Sequence, residues 1–294
     1  MTYSIIIPHK NSAELLHRLM KSIPKREDLE IIVVDDASQA SEKEKLQDLQ
    51  KSYNFKLHLN SIGKGAGASR NIGLEMARGT YVLFADSDDY FTHALAHELD
   101  RIPAYDKDLI CYKVNSVDSQ SYQTSHRHHF FNELITNFQQ RGKMDVRYKY
   151  SVPWGKVYRR SFIEQHRIRF AEVIAGNDMW FSCMCGILCS SFTVKEELLY
   201  TVTVREGSIV NTVNPDYFKS RFDETIRVND LLRSYHLSSY QYSVLYFVSN
   251  AHKFGLKAYV AKQLLAHRSN ILIGLEKIFK YKQVLVDREN RRVK

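Results

Sequence analysis

The sequence predicts an α/β fold built on a mostly parallel sheet, with a helical appendage at its C-terminal end. Three observations carry that reading. Two β-branched runs, Tyr3-Ser-Ile-Ile-Ile-Pro8 and Glu30-Ile-Ile-Val-Val-Asp35-Asp36, flank a helix-like stretch, and strand, helix, strand at this spacing is a βαβ unit. A third apolar run, Tyr81-Val-Leu-Phe-Ala85, feeds directly into Asp86-Ser87-Asp88-Asp89. The chain has 294 residues, 44% of them hydrophobic and few of them glycine or proline, which is ample for a large core and argues against long disorder.

Taken in order, Tyr3–Pro8 reads as a buried strand closed by proline. Ser12 can cap the helix that follows, where Leu15, Leu16, Leu19 and Ile23 share a face and Pro24 ends the run. Glu30–Asp36 is the second strand, a charged helix spans Ser41 to Tyr53, and Phe55–Leu59 is a third strand. Gly63-Lys64-Gly-Ala-Gly-Ala-Ser69-Arg70-Asn71-Ile-Gly73 is a glycine-rich loop entering a helix that Ser69 can cap and Gly79 can end. It matches neither standard phosphate-loop spacing. Its glycines still let backbone approach a ligand, and Arg70 offers a planar donor fork. A flexible loop with an exposed arginine is the bland alternative.

The acidic run at Asp86–Asp89 sits where open α/β sheets bind their ligands, at the carboxyl end of a strand. Asp86 and Asp88 are two apart, so they can serve one ion only if the chain turns between them. Hard oxygens of this kind suit Mg²⁺ or Mn²⁺. A ligand-free Asx-turn fits the same residues.

Asp108–Val114 reads as another strand, whereas Ser116 to Tyr150 is polar and poorly periodic. His126, His128 and His129 lack further ligands at metal-binding spacing, so a solvated basic loop is expected there. Val152-Pro-Trp154-Gly-Lys156-Val-Tyr158-Arg-Arg-Ser161 combines aromatic and cationic residues. Asn177-Asp178 then opens an apolar helix running to Cys189, and Asp178 is either a cap or a positioned base. Cys183 and Cys185 project about 200° apart on that helix, so buried thiols are expected, not a metal cluster.

Beyond Asn214 the segments Tyr217–Leu237, Tyr240–Phe254 and Ala258–Phe279 look helical. The stretch 276–294 carries seven Lys/Arg against three Asp/Glu, which fits either a solvated basic face or a segment lying on an anionic membrane. The formal net charge of +9 admits nucleic acid, anionic lipid or phosphorylated substrates. No recognition helix, zinc-finger spacing or RNP-like motif favours nucleic acid. No secretory signal and no spanning apolar run is visible, so a cytoplasmic protein resting at most on the inner face of a membrane is expected.

With these pieces in place, the chain resembles the family 2 inverting glycosyltransferases of the nucleotide-diphospho-sugar (GT-A) superfamily. The likeness runs from residue 3 to about 190 and rests on Ser4–Pro8, Ile31–Ser38, Gly67–Gly73, Ala77–Asp89, Trp154–Arg160 and Gly176-Asn177-Asp178. It implies a Rossmann-like catalytic domain over 1–213, with a nucleotide-binding half to about residue 115 and an acceptor half from about 116, then a helical region over 214–294. It also implies metal-dependent transfer of a sugar from a nucleotide-diphosphate donor, most simply a UDP-sugar, to a glycan or lipid-linked acceptor in surface polysaccharide synthesis.

The resemblance places Pro8, Lys10, Asp36, Lys64, Arg70, Asp86 and Ser87 around the nucleotide sugar, and Asp88 on a Mn²⁺ or Mg²⁺ ion. Asp178 would be the general base, with Trp154, Lys156 and Asn177 on the acceptor side. Core packing competes with sugar stacking as the role of Trp154. The family pattern before the base is commonly Glu-Asp, where this chain has Asn177-Asp178. That departure prompts a rival reading, a scaffold that binds a nucleotide or glycan without turnover. A nucleotidyltransferase on the same fold ranks lower, because Pro8-His-Lys-Asn-Ser12 lacks a glycine-rich triphosphate signature.

Overall fold

A computed structural model describes residues 1–205, 214–271 and 273 of the chain. The chain divides into two compact units, Met1–Thr212 and Val213–Lys294. In the first unit the elements alternate from the start: β1 (Tyr3–His9), α1 (Ala13–Ser22), β2 (Leu29–Asp35), α2 (Ala40–Ser52), β3 (Lys56–Leu59), α3 (Gly65–Met76) and β4 (Tyr81–Phe84). There follow β5 (Tyr90–Phe91), α4 (Ala94–Tyr105), β6 (Leu109–Asp118), α5 (His129–Arg141), α6 (Asp145–Lys149), β7 (Lys156–Arg159), α7 (Arg160–Gln165), α8 (Asn177–Leu188) and β8 (Phe192–Val204).

All eight strands join one sheet in the order β3-β2-β1-β4-β7-β6-β8-β5. The first four are parallel, while β7 and β5 run against their neighbours. β1 is the hinge of the arrangement, with Ile5 facing Ile31 on one side and Leu83 on the other. Every residue of β1 and β4 is buried, which explains why both are dominated by consecutive apolar residues, Ile5–Pro8 and Tyr81–Phe84. Because β1, β2 and β4 are parallel and in register, their carboxyl ends finish along one edge. His9, Asp35-Asp36 and Asp86 collect there.

Four local expectations are corrected. Ser12 stands at the N-cap position of α1, but its hydroxyl bonds the Ser87 hydroxyl at 2.8 Å, and Glu42 accepts the Ala13 N–H instead. α3 begins at Gly65, so the glycine run forms its first turns and Ser69 is buried inside it. α3 ends at Met76, before Gly79, whose N–H donates to the Ser4 hydroxyl. The polar stretch after residue 116 is ordered: α5 buries Phe131, Leu134 and Ile135, and His128 Nδ1 lies 2.8 Å from the Ser116 hydroxyl.

The four cysteines are buried and free, as small apolar side chains. Burial pushes the Cys111 and Cys183 thiols up to about 12. Arg147 of α6 grips the far end of α8. Its guanidinium donates to the carbonyls of Gly186, Ile187 and Cys189, groups a helix otherwise leaves unpaired.

The second unit holds α9 (Pro215–Ser234), α10 (Leu245–Asn250) and α11 (Lys257–Ala266), with short 3₁₀ turns between them. Asn214 caps α9 through the N–H groups of Asp216 and Tyr217, and Pro215 occupies the first helical position. Phe218, Phe222, Ile226, Val244, Phe247, Ala251 and Val260 form this unit's core. The helix expected over Ala258–Phe279 instead ends at Ala266, with Arg268 in the left-handed region at φ +47°, while the basic stretch 276–294 lies outside the described residues. No helix among the described residues is long and apolar enough to cross a membrane.

Candidate active site

The edge where β1, β2 and β4 end carries two acidic clusters. At β2, Asp35 is fully buried and its carboxylate accepts from the Ser38 N–H at 2.9 Å and the Ser38 hydroxyl. His9 Nδ1 lies 2.9 Å from Asp35, and His9 Nε2 accepts the Ser12 N–H, so the imidazole proton sits on Nδ1 and points at the carboxylate. Burial pushes the Asp35 carboxyl up, but the hydrogen bonds from Ser38 and His9 outweigh it and leave the group below its ordinary value. The adjacent Asp36 is 5% exposed and receives the N–H groups of Lys64 and Gly65 at 2.6 and 3.0 Å, capping α3. Lys10 adds an ion pair at 3.3 Å, and both Lys10 and Lys64 reach solvent beside the loop. Pro8 is buried one residue before this edge.

At β4 the chain turns, as two carboxylates two residues apart require: the Asp89 N–H donates to the Asp86 carbonyl at 3.0 Å. β8 holds the turn from behind. The Asp86 N–H donates to the Tyr200 hydroxyl at 2.8 Å, Thr203 Oγ1 donates to the Asp88 carbonyl, and the Thr203 N–H donates to Asp89. Asp89 is therefore a buried anchor, whereas Asp86 and Asp88 keep 31% and 28% of their side chains exposed. Burial and then the neighbouring Asp86 charge push the Asp88 carboxyl up, against Arg205, whose guanidinium stands 3.4 Å away. Asp89 is pushed well up by burial and by the charges of Asp88 and Asp86. Like charges crowded in this way favour a bound cation, and exposed carboxylate oxygens are the hard donors that Mg²⁺ or Mn²⁺ take. Among the described residues no trio of His, Cys, Asp or Glu is placed to hold a metal alone. A cation here would draw its remaining ligands from substrate or water.

Arg70 joins this turn to α8. Its guanidinium is 4% exposed and donates to Asp86 at 2.6 Å, Asp178 at 2.7 Å and Asn177 at 2.8 Å. Phe170 lies under it at 5.3 Å and stacks in turn on Phe181, centroids 3.9 Å apart. Burial disfavours the Arg70 charge, and the carboxylates of Asp178 and Asp86 more than restore it, so the group stays protonated. Two backbone features make the convergence possible. Gly176 takes φ +85° just before Asn177, and a Cβ on Gly67 would meet the Ala171 carbonyl at 2.2 Å, so α3 can approach this loop only through glycine.

Asp178 heads α8 with 28% of its side chain exposed. Burial pushes its carboxyl up; Arg70 pulls it down and Asp86 pushes it up again. The net upward shift makes it a stronger base than a free aspartate while a cation holds it in place.

Two acceptor-side expectations are overturned. Trp154 is 1% exposed and stacks on Tyr200, with its edge against Phe131, so it offers no face to a sugar. Lys156 is buried, donates to the Tyr150 carbonyl and lies over the Tyr150 ring, and burial pulls its ammonium down. Both belong to the core. Sequence reasoning also missed Tyr200, Thr203 and Arg205, because β8 was not recognised. The β-branched alternation Tyr200-Thr-Val-Thr-Val204 was the available signal. The charge of Arg127, which reaches both Asp88 and Asp178, lay within the stretch expected to be a loop.

The sequence profile of the family described as glycosyl transferase family 2 matches residues 4–167. A poly(ribitol-phosphate) beta-N-acetylglucosaminyltransferase, TarS of Staphylococcus aureus, is 26% identical over 228 residues, covering 74% of this chain and 39% of that protein. A GalNAc(5)-diNAcBac-PP-undecaprenol beta-1,3-glucosyltransferase of Campylobacter jejuni is 42% identical over 90 residues, 29% of each chain. The chain spans less than two thirds of the length of the first curated relatives it matches. Among solved structures, S. aureus TarS 1-349 in complex with UDP-GlcNAc superposes with a TM-score of 0.63 at 21% identity, over 91% of this chain and 79% of that one. A mannosyltransferase of Pyrobaculum calidifontis in complex with GDP-Man and Mn²⁺ gives 0.56 at 14% identity, over 97% and 80%. The fold is GT-A with a helical C-terminal region, and the chain belongs to glycosyl transferase family 2.

Proposed function

We propose that this chain moves a sugar, with inversion, from a UDP-linked donor to a hydroxyl of a glycan or lipid-linked acceptor, in the cytoplasm and toward a surface polysaccharide. The observation that carries this reading is the single buried guanidinium of Arg70, which binds Asp86 on one side and Asp178 on the other. It fixes a base carboxylate close to a second, crowded pair of carboxylates that suit a diphosphate-bound cation.

In this reading the residues divide the work. The loop pinned by Asp36, with Lys10, Lys64 and the end of Pro8, receives the nucleotide, and Ser87 holds the acidic turn to α1 through Ser12. Asp88 would hold Mn²⁺ or Mg²⁺, which when bound supplies charge neutralisation for the departing diphosphate. Asp178 takes the proton of the acceptor hydroxyl as the new bond forms at the anomeric carbon. Attack from the face opposite the leaving group inverts that carbon, and one carboxylate suffices. Asn177 shares an Arg70 nitrogen with the base and stands on the acceptor side. Relatives that act on poly(ribitol-phosphate) and a neighbour that binds UDP-GlcNAc support the donor and acceptor classes.

Nucleotide release from UDP-, GDP-, CMP- and dTDP-sugars, with and without Mn²⁺ and with candidate acceptors, tests the proposal. Metal-dependent release from one donor, lost in Asp88→Ala, is expected. The neutral Asn177 favours a second reading, a nucleotide- or glycan-binding scaffold. Binding of UDP without turnover on any acceptor, unaltered in Asp178→Asn, would select it.

A further inference from the structure

We propose that the outer face of α11 docks on an anionic lipid surface. This goes beyond the transfer reaction and does not depend on it. α11 has two faces. Val260 is buried in the second unit's core with Tyr259 and Leu264 packed beside it. At about 100° per residue, Ala258, Ala261 and Leu265 form a stripe on the opposite side, with Lys257 at one border and Lys262 at the other. All five are exposed, and Leu265 is 80% so, the most exposed large apolar side chain among the described residues. An apolar strip edged by lysines is the arrangement of a helix lying in a lipid interface, where the stems of the cations reach along the strip and the ammonium groups meet headgroups.

Charge identifies the partner. From residue 231 to 275 the sequence contains no Asp or Glu, while Arg233, Lys253, Lys257, Lys262 and Arg268 fall within it. In the same unit, Asp223, Glu224 and Asp230 of α9 are engaged by Lys219, Arg227 and Arg233. Lys253, Lys257 and Lys262 form no ion pair with another described residue. Among the described residues the exposed face of α11 is therefore positive: the acids that touch this helix or its C-cap, Asp223 at Tyr259 and Asp230 at His267, are also paired with Lys219 and Arg233, and the stripe's apolar content is one leucine with small alanines. Such a face adheres reversibly, by electrostatics first and shallow insertion second.

The full-length chain should float with vesicles of phosphatidylcholine and phosphatidylglycerol, and should not float with phosphatidylcholine alone. At roughly fivefold per cation, Lys257→Gln with Lys262→Gln should lower the partition coefficient about thirtyfold. Leu265→Gln, which keeps every charge, should lower it about tenfold. All three side chains face solvent, so thermal unfolding of the variants should match the parent. Full binding by the double lysine variant would assign the membrane to other residues and overturn the proposal. Equal binding to neutral vesicles, no binding to either, or preference for RNA over anionic vesicles would overturn it too.

Discussion

The two acidic strand ends of this molecule arise from the same sequence pattern and come to opposite electrostatic states. β2 ends in Asp35-Asp36 and β4 in Asp86 to Asp89, each after a buried apolar run. At β2 the carboxylates are answered by the protein itself: Ser38 and His9 for Asp35, the first N–H groups of α3 and Lys10 for Asp36. At β4, Asp88 and Asp89 sit above their ordinary values because burial and neighbouring charge, Asp86 for Asp88 and both Asp88 and Asp86 for Asp89, are only partly offset. Satisfied acids hold a fold together. Acids left in mutual repulsion are what remains available for a ligand.

The sharpest way to break that contrast is through Asp178, which belongs with the β4 group. Asp178→Asn keeps the Arg70 contact but not the basicity, so transfer should fall about 10²- to 10⁴-fold with little change in UDP affinity. Turnover within threefold of the parent, measured at saturating donor, would remove Asp178 as base. Next in size, Asp35→Asn leaves His9 and Ser38 facing a weaker acceptor in a closed interior, and should cost about 2–3 kcal/mol by urea unfolding.

The pH dependence of stability should differ in sign between the two groups. Asp35 is lowered in the folded state, so its contribution is present above its unfolded value and disappears as pH falls through its folded one. Asp88 is raised, so the folded state binds its proton more readily, and its ionisation destabilises as pH rises past the unfolded value. Asp88→Asn should therefore raise Tm at pH 7 and lose that gain toward pH 4, while metal-dependent turnover is lost. A variant with lowered Tm at pH 7 would mean that its Arg205 contact outweighs the repulsion. Least affected should be Lys10→Ala. Its ion pair with Asp36 is open to water, so stability should change by under about 0.5 kcal/mol, with UDP affinity falling a few-fold in calorimetry.

Legibility in the sequence followed the range of the forces involved. β1, β2 and β4 are legible because each holds a run of consecutive apolar residues, Ile5–Pro8, Ile31–Val34 and Tyr81–Phe84, and the turn at Asp86–Asp89 follows from chain geometry. In α5, Phe131, Leu134, Ile135 and Phe138 keep the i, i+3, i+4, i+7 spacing, but that signal is diluted by the histidines and polar residues that precede and interleave it. β8 was missed because its first half alternates irregularly and its pairing with β6 shifts register between Tyr112 and Val114. Trp154 and Lys156 were misplaced for a different reason: no local pattern tells a buried tryptophan or lysine from one that lines a site. The meeting of Arg70 with Asn177 and Asp178 spans more than a hundred residues, and only tertiary packing creates it.

The grip of Arg147 on the last carbonyls of α8 has a mechanical consequence. A helix of 12 residues is about 18 Å long, and here it is clamped at one end by Arg147 and carries Asp178 at the other. Asp178, the base in the proposed reaction, thus rides at the tip of a lever whose pivot lies in α6. Small tilts at the pivot become larger displacements at the tip. In the proposed reaction, the placement of the carboxylate that takes the proton therefore depends in part on Arg147, at the opposite end of α8.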